Sequence, residues 1–170
     1  MKKIKIGIIG AGGIARGHAK RLRQDPQVKI AALAEPSDES LERFAQYVFP
    51  EEKLPTVYPD HKSMLGGKEL DAVLIASPHT LHYEQIIDCL DAGLHVLAEK
   101  PLVCSTDETK KVIRKAKTAR RHVVVAYQRR FNPRFRYMRR LIRSEEFGRI
   151  FFVASFLSQG WLYLTARART

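Results

Sequence analysis

The sequence has few of the features that mark several classes of protein. It contains only two cysteines, Cys89 and Cys104, and Cys89 lies among the apolar residues of a predicted helix. We therefore interpret the cysteines as small buried side chains, and no spacing of Cys and His is typical of a metal site. No apolar run approaches the length of a membrane span, and Met1-Lys2-Lys3 precedes a short strand instead of a signal-peptide core. These absences predict a cytoplasmic protein with no metal and no membrane association.

Acidic residues are also scarce, since 30 Lys plus Arg outnumber 18 Asp plus Glu and give a net charge of +12. Residues 127–170 hold 10 basic and 2 acidic residues, whereas residues 1–126 hold 20 and 16. An excess of this size raises the hypothesis of nucleic-acid binding. However, the segment from Pro133 to Arg143 places its apolar residues on one stripe, which predicts an amphipathic helix with a solvated basic face. No nucleic-acid motif accompanies it, so we predict no nucleic-acid partner and keep that function as an alternative.

What the first 126 residues do contain is a regular alternation of apolar strands and helical patterns. This order is typical of βαβ units with parallel strands, and it predicts a doubly wound α/β sheet over residues 1–126. Residues 127–170 are predicted to hold the helix described above, a turn at Phe147-Gly148, a strand over 150–158 and a tail without pattern. Both faces of that strand are apolar, as in a sheet covered on both sides. We interpret 127–170 as a linker helix and the first strand of an incomplete second α/β domain.

A glycine-rich turn joins the first predicted strand, Ile4 to Ile9, to the first predicted helix. Its spacing, Gly-x-Gly-x-x-Ala, occurs often by chance, but here an apolar strand precedes it and a helical pattern follows it. In a Rossmann domain, glycines at such positions make a tight turn and let the backbone approach a pyrophosphate, and the last small residue allows close helix packing. The predicted cofactor-binding residues of this turn are Gly10, Gly12, Gly13, Ile14 and Ala15.

Glu35 follows the second predicted strand, Val28 to Ala34, and lies 20 residues after Ala15. A carboxylate at this place can accept both hydroxyl groups of the adenosine ribose and repel a 2'-phosphate. The residues directly after it, Pro36, Ser37 and Asp38, include no cation that would attract a phosphate. Glu35 therefore predicts NAD as the cofactor in preference to NADP.

Two further segments follow predicted strands, where ligands of open parallel sheets bind. Ser77-Pro78-His79-Thr80 ends the strand Ala72 to Ala76, and we expect Ser77, Pro78 and His82 to lie against the cofactor. A role for Ser77 and Thr80 as loop and cap residues stays open, as does a structural role for His79 and His82.

The second segment, Glu99-Lys100-Pro101, follows the strand His95 to Ala98. Pro101 disfavours helical geometry at Lys100, so we expect an extended lysine that points toward a nicotinamide. If Lys100 is desolvated there, it can exchange a proton with a substrate hydroxyl group. A surface lysine paired with Glu99 is the equal alternative from the pattern alone.

Several motifs together resemble the Gfo/Idh/MocA family of oxidoreductases, and the match extends from about residue 3 to 161. The residues that carry the resemblance are Gly10 to Ala15 with His18, Asp71 to Pro78 with His82, Ala92 to Pro101, Arg130 with Pro133, and Phe147 to Ile150. The Glu-Lys-Pro element is the most specific of these. The resemblance implies hydride transfer between NAD(P) and a sugar, polyol or cyclitol carbon, with Lys100 catalytic and Glu99 and Lys100 near the cofactor.

The resemblance also implies a second α/β domain that carries the substrate pocket, a catalytic histidine and an oligomer interface. Nothing after Trp161 matches that domain. We therefore expect a chain that binds NAD and turns over sugars weakly or not at all, and the resemblance allows a homo-oligomer. The alternative is a stand-alone dinucleotide-binding or redox-sensing module without catalysis.

Overall fold

The structure is a computed structural model, and it describes residues 3–67, 69–144, 146, 148–156 and 158. Backbone contacts divide the chain into two units, with the boundary between Tyr127 and Gln128.

The first unit is a six-stranded parallel sheet with helices between the strands. The strands are β1 (Ile4–Ile9), β2 (Val28–Ala34), β3 (Thr56–Tyr58), β4 (Ala72–Ile75), β5 (His95–Ala98) and β6 (Val123–Val125). The helices are α1 (Gly13–Leu22), α2 (Asp38–Val48), α3 (His61–Gly67), α4 (His82–Asp91) and α5 (Thr106–Ala119), and a 3-10 turn (His79–Leu81) precedes α4. The strand order is β3-β2-β1-β4-β5-β6, so the predicted doubly wound Rossmann sheet is confirmed.

The strands are continuous apolar runs because the sheet is covered on both faces. Successive side chains of a strand point to opposite faces, so in β4 Leu74 packs with α1 and α2 while Val73 and Ile75 pack with α3, α4 and α5. Phe44 of α2 is fully buried on the first face, and Ile86 of α4 is fully buried on the second. The helices packed on both faces fix the positions of the strands, so the carboxyl ends of the strands form a rigid edge of the sheet.

Serine side chains cap two of the helices. Ser37 accepts the backbone N–H of Ser40 at 3.2 Å at the start of α2, and Ser105 accepts that of Glu108 at 3.1 Å at the start of α5. The Glu108 carboxylate accepts the N–H of Cys104 at 3.1 Å, one residue earlier than in a standard capping box. In the part of the chain that the structure describes, no helix is both long enough and apolar enough to cross a membrane.

The two cysteines lie in different environments. Cys89 is buried on α4, as predicted, and burial raises the pKa of its thiol to about 12. The expectation of a buried side chain is wrong for Cys104, which is exposed just before α5. It precedes the capping serine of that helix and so lies on the surface loop, outside the apolar layer.

The second unit contains a 3-10 turn (Gln128–Phe131) and a helix, α6 (Pro133–Arg143), whose bounds are those predicted. Asn132 caps α6 by accepting the N–H of Arg134 at 2.9 Å.

The predicted strand over 150–158 is wrong for the described residues, because 150–156 and 158 belong to no strand. A strand needs a hydrogen-bonded neighbour, and the apolar side chains of 150–153 are exposed instead. Gly148 has a positive φ of +68° consistent with a turn, while Phe147, Leu157 and the predicted tail lie outside the described residues.

Candidate cofactor site

The four predicted site segments lie at one edge of the sheet. Parallel strands end at the same edge, so the segments after β1, β2, β4 and β5 meet there. β1 pairs with β2 on one side and with β4 on the other, which is the point where the strand order reverses. In open α/β sheets, ligands bind in the crevice at this reversal.

The glycine-rich turn between β1 and α1 has two glycines with different roles. Gly10 has a φ of +92°, and a Cβ there would lie 2.8 Å from the carbonyl oxygen of Ala76 at the end of β4. Gly12 caps α1 with a φ of −64°, and a Cβ there would have no heavy atom within 4 Å. The turn at Gly10 is therefore closed by the protein, whereas Gly12 borders open space at a helix N-terminus, where anions bind.

The other residues of the turn fit the same site. Gly13 is the first residue of α1, and Ile14 is 58% exposed, so both border the open side of the turn. Ala15 is fully buried, which fits the close helix–strand packing expected of it.

Glu35 holds the glycine-rich turn from the end of β2. Its Oε2 accepts the backbone N–H of Ala11 at 2.8 Å, and its Oε1 accepts that of Ser37 at 3.0 Å. The backbone N–H of Glu35 donates to the carbonyl oxygen of Tyr58 at 3.0 Å, so β3 fixes the backbone from which the carboxylate extends. An ionised carboxylate has about four acceptor positions, and ribose hydroxyl groups can therefore share it with the backbone.

A cavity of about 340 Å³ opens beside Glu35, within the range of small-ligand pockets. Its lining residues come from the ends of β1, β2, β3 and β4 and from the helices that follow. They are Ile9, Gly10, Ala34, Glu35, Pro36, Pro59, Asp60, His61, Ser77, Pro78, Leu81, Glu84 and Gln85. The cavity joins the predicted segments after β1, β2 and β4, and its position fits the adenosine half of a dinucleotide.

Two further carboxylates, those of Asp60 and Glu84, line this cavity. The N–H and hydroxyl groups of Ser63 donate to Asp60 and hold its pKa below the usual value. A hydrogen bond and charge interaction with Lys62 likewise lower the pKa of Glu84. Both carboxylates are thus ionised at neutral pH, but Lys62 pairs with Glu84, so it is Asp60 that adds to the repulsion of a 2'-phosphate by Glu35.

A cluster of groups of the kind that bind metals lies at the rim of the cavity. The ligand atoms of His61, Glu84 and Asp88 lie within 4.8 Å of one another. His61 already contacts Asp88 at 2.9 Å, and the Lys62 ammonium contacts Glu84 at 2.6 Å. We therefore assign this cluster to a hydrogen bond and an ion pair between α3 and α4.

The residues of the segment after β4 differ in their burial and in their hydrogen bonds. Ser77 donates its hydroxyl to Oε1 of the buried Gln85 at 2.5 Å, while Pro78 is exposed at the cavity. His82 is fully buried, with Nε2 at 3.1 Å from the Ser77 carbonyl and Nδ1 at 3.0 Å from that of Pro101. Its side chain cannot touch a cofactor, contrary to our expectation, because it lies between two loops. His82 instead positions the segment after β4 against the segment after β5.

The Glu99-Lys100-Pro101 segment presents one exposed and one buried side chain. Lys100 is exposed and precedes a cis peptide bond to Pro101. The desolvation on which proton exchange by Lys100 would depend is therefore absent in the described structure, as in the alternative of a surface lysine. Glu99 is only 6% exposed, and its Oε1 lies 2.7 Å from Nε2 of His18 on α1. Sequence spacing could not show this pair because 81 residues separate its members.

These features define a dinucleotide-binding Rossmann domain. The family described as the oxidoreductase family with an NAD-binding Rossmann fold matches residues 4–127, so the chain belongs to this family. The resemblance to Gfo/Idh/MocA oxidoreductases is thereby confirmed.

Relatives of the chain include dehydrogenases and a catabolism protein. The rhizopine catabolism protein MocA of Rhizobium meliloti is 30% identical over 92% of this chain and 47% of its own length. The D-xylose 1-dehydrogenase (NADP(+)) 2 of Haloferax volcanii is 35% identical over 82% of this chain and 42% of its own length. The crystal structure of scyllo-inositol dehydrogenase from Lactobacillus casei, with bound NAD(H) and scyllo-inositol, has a TM-score of 0.77 and 27% identity. The aligned region covers 86% of this chain and 43% of the chain in that crystal structure. The present chain therefore spans less than half of the length of these relatives.

Proposed function

We propose that this chain supplies the NAD-binding half of an oxidoreductase that acts on a sugar, polyol or cyclitol. The observation that supports it most directly is the convergence of the glycine-rich turn, Glu35 and the 340 Å³ cavity at the carboxyl edge of the sheet. Family membership and relatives that act on sugars and cyclitols agree with it. We further propose a small-molecule substrate, a cytoplasmic location and no nucleic-acid partner.

Each proposed contact has a defined task. The open backbone at Gly12 and Gly13, at the start of α1, faces the pyrophosphate, and Ile14 and Pro78 border the rest of the cofactor. Glu35 accepts the ribose hydroxyl groups. When bound, NAD supplies the hydride acceptor, which is the part of the reaction that side chains cannot perform.

Lys100 is the proposed catalytic residue. It projects from the segment after β5, at the same edge as the turn and Glu35, and takes up or returns the proton of a substrate hydroxyl group. Because Lys100 is exposed here, it keeps its water shell until another surface covers it. We propose that residues 127–170 are a linker helix and the start of a second α/β domain.

Nucleotide titration tests the proposal. We expect NADH to bind to the 170-residue chain at least about tenfold more tightly than NADPH, because the Glu35 and Asp60 carboxylates line the cavity and repel a 2'-phosphate. At 100-fold excess over its dissociation constant, NADH should stabilise the fold by about 2.7 kcal/mol. Calorimetry with NADH, NADPH and duplex DNA separates the alternatives. Failure of both nucleotides to bind would overturn the proposal, and salt-sensitive DNA binding in their place would favour the nucleic-acid hypothesis.

Dinucleotide binding without catalysis is the second candidate, and the exposure of Lys100 favours it. Assays of NADH formation with a panel of inositols and sugars distinguish the two candidates. An oxidoreductase should give weak turnover that Lys100→Met abolishes without loss of NADH binding. Complete absence of turnover by a chain that binds NADH is expected of the binding module and also of an oxidoreductase half whose Lys100 stays uncovered, so turnover is the result that decides between them. Turnover near 10 s⁻¹, typical of complete enzymes, would contradict our expectation that Lys100 needs a covering surface.

A further inference from the structure

The pair formed by His18 and Glu99 is the most buried ionisable contact of the described residues near the proposed site. The side chains are 14% and 7% exposed, and His18 Nε2 lies 2.7 Å from Glu99 Oε1. Carboxylates are rarely buried without a partner, because their hydration is lost. The pair is therefore a built connection between α1 and the end of β5.

On one side, the pair is attached to the glycine-rich turn through a short stretch of helix. Ala15 and Ala19 of α1 are fully buried, and His18 lies on the same helix face because residues three and four apart share a face. The small alanines let α1 lie close to the sheet, which brings His18 to the end of β5. His18 is five residues after Gly13, the first residue of α1, or about 8 Å along the helix axis at 1.5 Å per residue.

On the other side, the pair is attached to the backbone of Lys100. Glu99 Oε2 accepts the backbone N–H of Lys100 at 3.2 Å. The backbone N–H of Glu99 donates to the carbonyl oxygen of Ile75 at 2.9 Å, which fixes Glu99 to the end of β4. The Glu99 carboxylate thus contacts α1 with one oxygen and the backbone of Lys100 with the other.

We propose that His18 and Glu99 are positioning residues that couple dinucleotide binding at the start of α1 to the placement of Lys100. A dinucleotide at the glycine-rich turn restrains α1, and the pair transmits that restraint to the backbone from which Lys100 projects. Coupling of this kind is reciprocal, so the placement of Lys100 also affects nucleotide affinity. This inference rests on the proposed function, since it requires a dinucleotide at the turn.

A spectroscopic label on Lys100 tests the coupling without any turnover. Reductive methylation with ¹³C-formaldehyde labels the lysines and keeps their charge, and a Lys100→Arg chain identifies the Lys100 signal. In the wild-type chain, saturating NAD should shift the Lys100 methyl signal. His18→Gln keeps a donor that reaches Glu99 and should keep the shift, whereas His18→Leu should lose at least half of it at NAD saturation confirmed by calorimetry.

The control is Val112→Ala, which opens a cavity on α5, in the core layer on the opposite face of the sheet from α1. It should lower the melting temperature and keep the NAD-induced shift, so loss of stability alone cannot imitate the expected result. If His18→Leu does not fold, His18→Asn, whose side chain is too short to reach Glu99, takes its place. A full shift in NAD-saturated His18→Leu or His18→Asn would overturn the coupling, as would an absent shift in the NAD-saturated wild-type chain. Failure of NAD to bind to the wild-type chain would instead overturn the proposed function.

Discussion

Replacing Gly10 with alanine should lower the free energy of unfolding by about 3 kcal/mol, or the melting temperature by roughly 10 °C. The φ of +92° is unfavourable for a side chain, and the new Cβ would lie 2.8 Å from the Ala76 carbonyl oxygen and 2.9 Å from the Ser77 nitrogen. Both obstacles are backbone atoms of the segment after β4, so neither can rotate away. Chemical denaturation followed by circular dichroism measures the effect.

Gly12→Ala is the matched control, because it introduces the same methyl group two residues further along the turn. A Cβ there meets no atom within 4 Å, and the φ of −64° is ordinary, so stability should change by less than about 0.5 kcal/mol. NAD affinity should nevertheless fall at least about tenfold, because the methyl group projects where the pyrophosphate approaches the backbone. Equal losses of stability in the two variants would contradict the separate roles that we assign to these glycines.

Replacing Glu35 with glutamine should change the preference between NAD and NADP. Both carboxylate oxygens of Glu35 now accept a backbone N–H group, from Ala11 and from Ser37. Glutamine has a single acceptor oxygen, so one of these hydrogen bonds is lost, and the negative charge is lost with it. A lost charge-assisted hydrogen bond corresponds to about 1.5–3 kcal/mol, so NADH affinity should fall roughly tenfold or more. NADPH affinity should fall less, because the repulsion of its 2'-phosphate is also removed.

Glu39→Gln provides the control for Glu35→Gln. Glu39 is an exposed residue of α2 that pairs with Arg43 one helical turn away, so the same chemical change occurs outside the cavity. We expect its ratio of NADH to NADPH affinity to equal that of the wild-type chain. A Glu35→Gln chain with an unchanged ratio would disprove the selectivity role of Glu35, and calorimetric titrations of both variants decide the matter.

Local patterns predicted most of the first unit because its elements are determined by nearby residues. The strands are continuous apolar runs, so β2 and β5 have the predicted bounds. Asn132 and Pro133 define the start of α6 through local capping geometry, and that helix too has the predicted bounds. The strand over 150–158 failed because a strand depends on hydrogen bonds to a neighbour, which its own sequence cannot specify.

By itself, the sequence determined the class of fold, the family and the position of the glycine-rich turn, since these follow from periodicity and from motifs of adjacent residues. Only the tertiary structure decided which site residues are accessible. It buried His82 between two loops, joined His18 to Glu99 and left Lys100 exposed. It also gave Glu35 a second role as the acceptor that holds the turn. The contacts of Glu35 with Ala11 and of His18 with Glu99 join residues 24 and 81 positions apart, and such contacts exist only once the parallel strands bring their ends together at one edge.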